Sequence, residues 1–190
     1  MTRSILIVGV GGQGTLLASR LLGRTLLAKG YDVKISEVHG MSQRGGSVVT
    51  YVRYGDKVAS PIVEKGEADI IIMSFEELEA ARWLPYLKKG GSIIVNTQQM
   101  DPMPVITGAA VYPENVLGQL EDLGVDVQPV DALSLAVEAG TPKAANVALI
   151  GVVAKNTDIE QSVWEETIRN TVPEKFLDQN LKAFRLGYNA

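Results

Sequence analysis

Ile5-Leu6-Ile7-Val8-Gly9-Val10-Gly11-Gly12-Gln13-Gly14 is the stretch on which the fold turns. Four consecutive apolar residues run straight into Gly9-x-Gly11-x-x-Gly14, and a long aliphatic pattern follows at once. An apolar run without alternation predicts a strand buried on both faces, as in the centre of a parallel sheet. The glycines permit a tight turn, close backbone approach and close packing of the next helix, whose first N–H groups face whatever occupies the turn. A pyrophosphate is one such occupant. The same turn also serves simply to dock a first helix on its sheet, so the motif speaks more clearly of fold than of function.

Downstream, the periodicity predicts a helix over 12–29, with Leu17, Leu21 and Ala28 facing the sheet and Gly30 closing it. Residues 31–36 read as a second strand. Residues 47–54 and 57–60 flank Gly55-Asp56, a turn pair that predicts an antiparallel hairpin. Residues 70–73 and 92–96 read as further buried strands. Between them a helix over 76–87 is stopped by Gly90-Gly91. Pro102 and Pro104 make 100–107 an irregular connector. Short strands are expected at 109–112 and 125–130, around a helix near 114–123. Helices follow at 132–139, at 146–154 (almost wholly apolar), at 159–170 and from 174 to about 186. The fold class is therefore α/β: a Rossmann-like three-layer sandwich, mostly parallel, with an inserted β-hairpin and a helical C-terminal tail. Residues 1–190 are expected to form a single domain.

Composition narrows the function. Hydrophobic residues make up 46% and aromatics only 6%, which suits a core packed from aliphatic side chains. A net charge of −4, without long runs, favours neither nucleic acid nor an anionic membrane as partner. No cysteine is present, hence no disulfide and no thiolate ligand for zinc or an iron–sulfur cluster. A single histidine, His39, leaves no multi-histidine metal site. The chain opens on its first strand, so neither a signal peptide nor a bilayer-spanning run is expected, and the reading is a cytoplasmic protein.

A dinucleotide reader places an acid near the end of its second strand to accept from a ribose hydroxyl, and Glu37 stands at that distance from Gly14. Two features weigh against bound NAD. No hydride-site set such as Tyr-x-x-x-Lys or a second histidine is present, and the loop after Glu37 is too elaborate for that role. It reads Glu37-Val38-His39-Gly40-Met41-Ser42-Gln43-Arg44-Gly45-Gly46. Its glycines permit positive φ or close approach, Ser42, Gln43 and Arg44 crowd donors between them, and Arg44 carries a fork for a carboxylate or phosphate. Such a loop either meets a ligand or partner, or satisfies its own backbone. His39 is a weak candidate for proton transfer and more readily a hydrogen-bonding residue. Met41 reads as a packing contact. Val38, Met41, Val48, Val49 and Val52 together predict an apolar face that needs a partner.

The glycine turn followed by Ser36-Glu37-Val38-His39-Gly40-Met41-Ser42-Gln43-Arg44-Gly45-Gly46-Ser47-Val48 resembles the gamma-type domain of 2-oxoacid:ferredoxin oxidoreductases. Within that family it is similar above all to the small (beta) subunit of indolepyruvate enzymes. The likeness extends over nearly the whole chain, and the Met-Ser-Gln-Arg-Gly-Gly order is far more specific than the glycine turn.

The resemblance implies a heteromeric complex. Its large (alpha) subunit holds thiamine diphosphate, magnesium and the iron–sulfur clusters, and the small subunit carries no cofactor and no metal. The reaction implied is oxidative decarboxylation of an aryl pyruvate to an acyl-CoA, with CoA as co-substrate and ferredoxin as acceptor, in anaerobic amino-acid catabolism. Gly9, Gly11, Gly12, Gln13, Gly14, Glu37, Met41, Ser42, Gln43, Arg44, Gly45 and Gly46 are then the residues facing a cofactor or the partner. Arg44 is expected to serve the subunit boundary. A stand-alone NAD(P)-dependent oxidoreductase and a non-catalytic binding module are the competing readings.

Overall fold

Strand β1, Arg3–Val10, is buried as its composition demands: Ile5, Leu6, Ile7 and Val8 have no exposed surface. The computed structural model describes residues 2–10, 14–39, 47–73, 77–99 and 101–190, with the side chains of Val10, His39 and Met73 left aside. Helix α1, Thr15–Ala28, follows the glycine turn, and β2, Asp32–His39, and β3, Ser47–Gly55, come next. Then come β4, Ala68–Met73, α2, Glu77–Trp83, and β5, Leu87–Asn96. A single-turn α3, Met103–Ile106, and α4, Val116–Asp122, lead to β6, Asp126–Val130. The C-terminal third is helical: α5, Ala132–Glu138, α6, Ala145–Lys155, α7, Gln161–Arg169, and α8, Leu177–Tyr188.

The strands form one sheet in the order β2-β3-β1-β4-β5-β6. The pairs β1–β4, β4–β5 and β5–β6 are parallel, and β3 alone runs against its neighbours. Alternate residues of each strand feed opposite faces. Ile5, Ile7, Ile72 and Ile94 pack with Leu21, Leu22 and Leu26 of α1 and with α6 and α8. Leu6, Val8, Ile71, Ile93 and Val95 pack on the other side with Ala80 of α2 and Leu120 of α4. The result is the expected three-layer, mostly parallel sandwich with a helical tail.

Several local expectations are corrected. The hairpin is made by β2 and β3, in register from Asp32↔Gly55 to His39↔Val48, and not by 47–54 with 57–60. Both edges of β3 are already filled by β2 and β1, so no edge is left for a strand at 57–60. There Val58 N–H donates to the Asp32 carboxylate at 2.8 Å, and Val58 and Val63 turn into the core. Helix α1 faces the sheet through Ala18, Leu21, Leu22 and Leu26, while Ala28 is exposed at its end. Gly90 and Gly91 lie inside β5. Helix α2 ends earlier, where Leu84-Pro85-Tyr86 forms a 3-10 turn. A Cβ on Gly91 would meet the Asp69 carbonyl oxygen at 2.9 Å, beside the register shift between β4 and β5, so this pair marks a strand irregularity. Residues 109–112 form no strand. Val48, Val49 and Val52 are all buried within this chain, which removes most of the apolar face expected around the loop; only Val38, 50% exposed, remains of the described residues.

The tail is fastened to itself. Arg185 donates from Nε and Nη2 to the two carboxylate oxygens of Glu165 at 2.8 and 2.6 Å, joining α8 to α7. That fork holds the Glu165 carboxyl below its usual range, against the opposing effect of burial. A depressed folded-state value means stability that is present above the unfolded carboxyl pKa of about 4.3 and lost as pH falls through the lower folded value. Arg185 is half exposed, so the pair is worth about 0.5–1 kcal/mol. Arg185→Gln should lower stability by that amount in urea denaturation at pH 7, with the difference from wild type shrinking as pH falls below the unfolded carboxyl value.

Candidate functional site at the carboxyl edge of the sheet

In open α/β sheets, ligands gather outside the carboxyl ends of the parallel strands. Here β1, β4, β5 and β6 end at Val10, Met73, Asn96 and Val130 on one edge. The register Val10↔Ser47 and His39↔Val48 brings the end of β2 and the start of β3 to the same edge. Sequence patterning alone could not establish that both signature motifs, more than twenty residues apart, flank neighbouring strand ends.

Gly9 pairs with Val48 inside the sheet. Gly14 is the N-cap of α1, with φ +78°, a conformation in which a side chain is strained. Its carbonyl accepts from Asn146 Nδ2 at 2.8 Å, and Asn146 Oδ1 in turn accepts from Val147 N–H at 2.9 Å. Asn146 is almost completely buried, and a Cβ on Gly14 would stand 2.4 Å from its amide nitrogen. The first turn of α6 is thereby latched to the first turn of α1. Thr141 prepares it: its hydroxyl accepts from Lys143 N–H, with Pro142 at the start of a short 3-10 turn before α6.

Glu37 lies within β2, and its carboxylate accepts from the fully buried Thr50 hydroxyl at 3.1 Å across the ribbon. Asn96, also fully buried, accepts from Ala132 N–H and ties the end of β5 to the start of α5. Asp131 caps that helix through the Ser134 hydroxyl and N–H, which hold its carboxyl below the usual range. Gln99 donates to Glu77 at the start of α2. Gly11, Gly12, Gln13, Met41, Ser42, Gln43, Arg44, Gly45 and Gly46 lie outside the described residues, as does the His39 side chain.

Asn146 and Asn96 were missed in the sequence. A signal was present for the first: an amide inside the otherwise apolar run from Ala144 to Ala154 predicts a buried partner for it. Among the described residues no group of three or more His, Asp or Glu could hold a metal ion. A pocket of about 230 Å³ between Arg3, Tyr31, Tyr54 and Asp158 lies at the opposite, amino edge, where Tyr54 already bonds Arg3. Among the described residues no helix is long and apolar enough to cross a membrane.

Fold and site together define a Rossmann-like α/β module whose carboxyl edge, among the described residues, gathers backbone, amide, hydroxyl and carboxylate groups. The chain belongs to the pyruvate ferredoxin/flavodoxin oxidoreductase family, whose model matches residues 4–190. It is 44% identical to the indolepyruvate oxidoreductase subunit IorB of Thermococcus kodakarensis, over 98% of this chain and 95% of that protein. Its fold matches the gamma subunit of a keto/oxoacid ferredoxin oxidoreductase from Geobacter sulfurreducens with a TM-score of 0.72 at 22% identity, over 98% and 96% of the two chains. It also matches 2-oxoglutarate:ferredoxin oxidoreductase from Magnetococcus marinus with a TM-score of 0.75 at 18% identity. That match covers 99% of this chain but 30% of the other.

Proposed function

We propose that this chain is the small subunit of a 2-oxoacid:ferredoxin oxidoreductase acting on indolepyruvate or a related aryl pyruvate. The oxoacid is decarboxylated and its acyl group passes to CoA, while ferredoxin takes the electrons. The observation that carries this reading is the near full-length similarity to IorB. In the Magnetococcus enzyme the same fold is under a third of a longer chain, which supports a larger partner here.

We place thiamine diphosphate, magnesium and the iron–sulfur clusters on the large subunit, since this chain offers no thiolate for a cluster. When bound there, the cofactor supplies the decarboxylation and electron transfer. This chain's part is to complete the enclosure. The bond from Asn146 to the Gly14 carbonyl braces the start of α1 behind the glycine motif, and the residues from Glu37 to Gly46 face the partner, with the Arg44 fork seated on one of its anionic groups. The whole chain acts as one domain of a cytoplasmic complex. A stand-alone dehydrogenase built on the glycine turn is not favoured.

The test is reconstitution. The purified chain alone should show no turnover of indolepyruvate with CoA and a viologen dye, and no heat on titration with NADH. The same chain co-expressed with its large subunit should give turnover. Activity of the isolated chain, or an inactive complex with every cofactor loaded, would overturn the reading.

A further inference from the structure

The connector between β5 and α4, residues 101–115, has no role in the core. None of its side chains is buried, yet from Pro102 to Pro113 it carries no charged residue. Met103 is 66%, Ile106 64% and Val111 89% exposed. The segment is nonetheless shaped by its own hydrogen bonds. Val105 and Ile106 N–H donate to Pro102 O, Thr107 N–H to Met103 O, and Ala109 and Ala110 N–H to Pro104 O, all between 2.8 and 3.1 Å. The Thr107 hydroxyl adds a bond to Met103 O. Pro102 and Pro104 stiffen the turn, and Met103 and Ile106 are spaced to share one side of it. An apolar knob preformed in this way loses little conformational entropy on docking.

We infer that this knob anchors the chain in its large subunit, in an apolar pocket with a basic rim; the inference rests on the function proposed above. Two observations select this occupant. The exposed apolar surface is on the order of a few hundred Å², the size of the largest patch a typical monomer leaves open, which is often functional. It is about half or less of the ~800 Å² per side that a stable pair requires, so it fits an anchor within a broader interface. Charge supplies the second. From Gly90 to Pro142 the chain has no lysine or arginine and seven carboxylates, all exposed. Asp101 and Glu114 bracket the knob, with Glu121 and Asp122 on the helix beyond. A second copy would bring like charge to like, whereas a basic rim is complementary.

The experiment titrates the purified large subunit with this chain, read by biolayer interferometry. M103S/I106S should bind on the order of 100-fold more weakly, the loss expected for two central anchors. Its melting temperature as an isolated chain should match wild type. Leu27→Ser, which removes an equally exposed apolar side chain at the amino edge, should bind normally. D101K/E114K should slow association, and wild-type association should slow as salt rises. Normal binding by M103S/I106S, or a lowered melt, would overturn the inference while leaving the proposed function standing. So would a wild-type self-dimer that M103S/I106S dissolves. Failure of the wild-type chain to bind the large subunit at all would overturn both.

Discussion

Gly187→Ala is expected to destabilise this chain by about 3 kcal/mol, at the upper end for overpacking a core. For a chain of this size the melting temperature should fall by roughly 6–12 °C. The cause is the backbone contact between α6 and α8. A Cβ on Gly187 would stand 1.9 Å from the Ala148 carbonyl oxygen and 2.7 Å from its carbon. The contact is reciprocal, since a Cβ on Gly151 would meet Phe184 O at 2.2 Å and Tyr188 N at 2.7 Å. These obstacles are main chain, so no rotamer change relieves them and one helix must move. Moving α8 also disturbs the stack of Phe184 on Trp164, whose ring centres are 6.4 Å apart in the core. Gly30→Ala provides the comparison. Gly30 has φ +86° with nothing within 4 Å, so alanine there should cost only the left-handed strain of about 1–2 kcal/mol. Equal effects at the two sites, measured by calorimetry, would mean that the helices separate freely.

The second large effect belongs to the latch. Gly14→Ala should cost roughly 2–5 kcal/mol from two sources. The left-handed backbone contributes about 1–2 kcal/mol. The new Cβ, 2.4 Å from Asn146 Nδ2, also pushes the amide off the Gly14 carbonyl and leaves buried polar groups unpaired, for about 1–3 kcal/mol. The two sources can be separated by a double-mutant cycle. Asn146→Ala alone should cost about 1–3 kcal/mol. In that background Gly14→Ala should retain only the backbone strain, giving a coupling energy on the order of 1–3 kcal/mol between residues 132 positions apart. Strict additivity in urea denaturation of the four proteins would refute the latch. In the assembled enzyme Asn146→Ala should also reduce turnover, because Gly14, where the glycine motif meets α1, would lose its brace on α6.

The sequence by itself determined the elements whose identity is local. The run from Ile5 to Val8 could only be a doubly buried strand, and the turn after it could only lead into a helix. Asn146 to Ala154 had to lie within a wholly buried helix, because no face of it is polar. Both family motifs were likewise legible, since they depend on residue order alone. Tertiary structure decided what depends on which edges and faces remain free. Gly55-Asp56 looks like a hairpin turn, but β3 already had a strand on each side. Gly90-Gly91 looks like a helix stop, but a proline-bearing turn ended α2 first and β5 absorbed the pair. The valines of β3 looked like an interface and became core, whereas Met103, Ile106 and Val111 sit in a connector whose sequence gives no periodicity by which to judge their exposure. The close crossing of α6 on α8 and the bond from Asn146 to Gly14 join residues far apart in the chain. Chain order leaves such contacts undetermined, because they exist only once the sheet and its helices are packed.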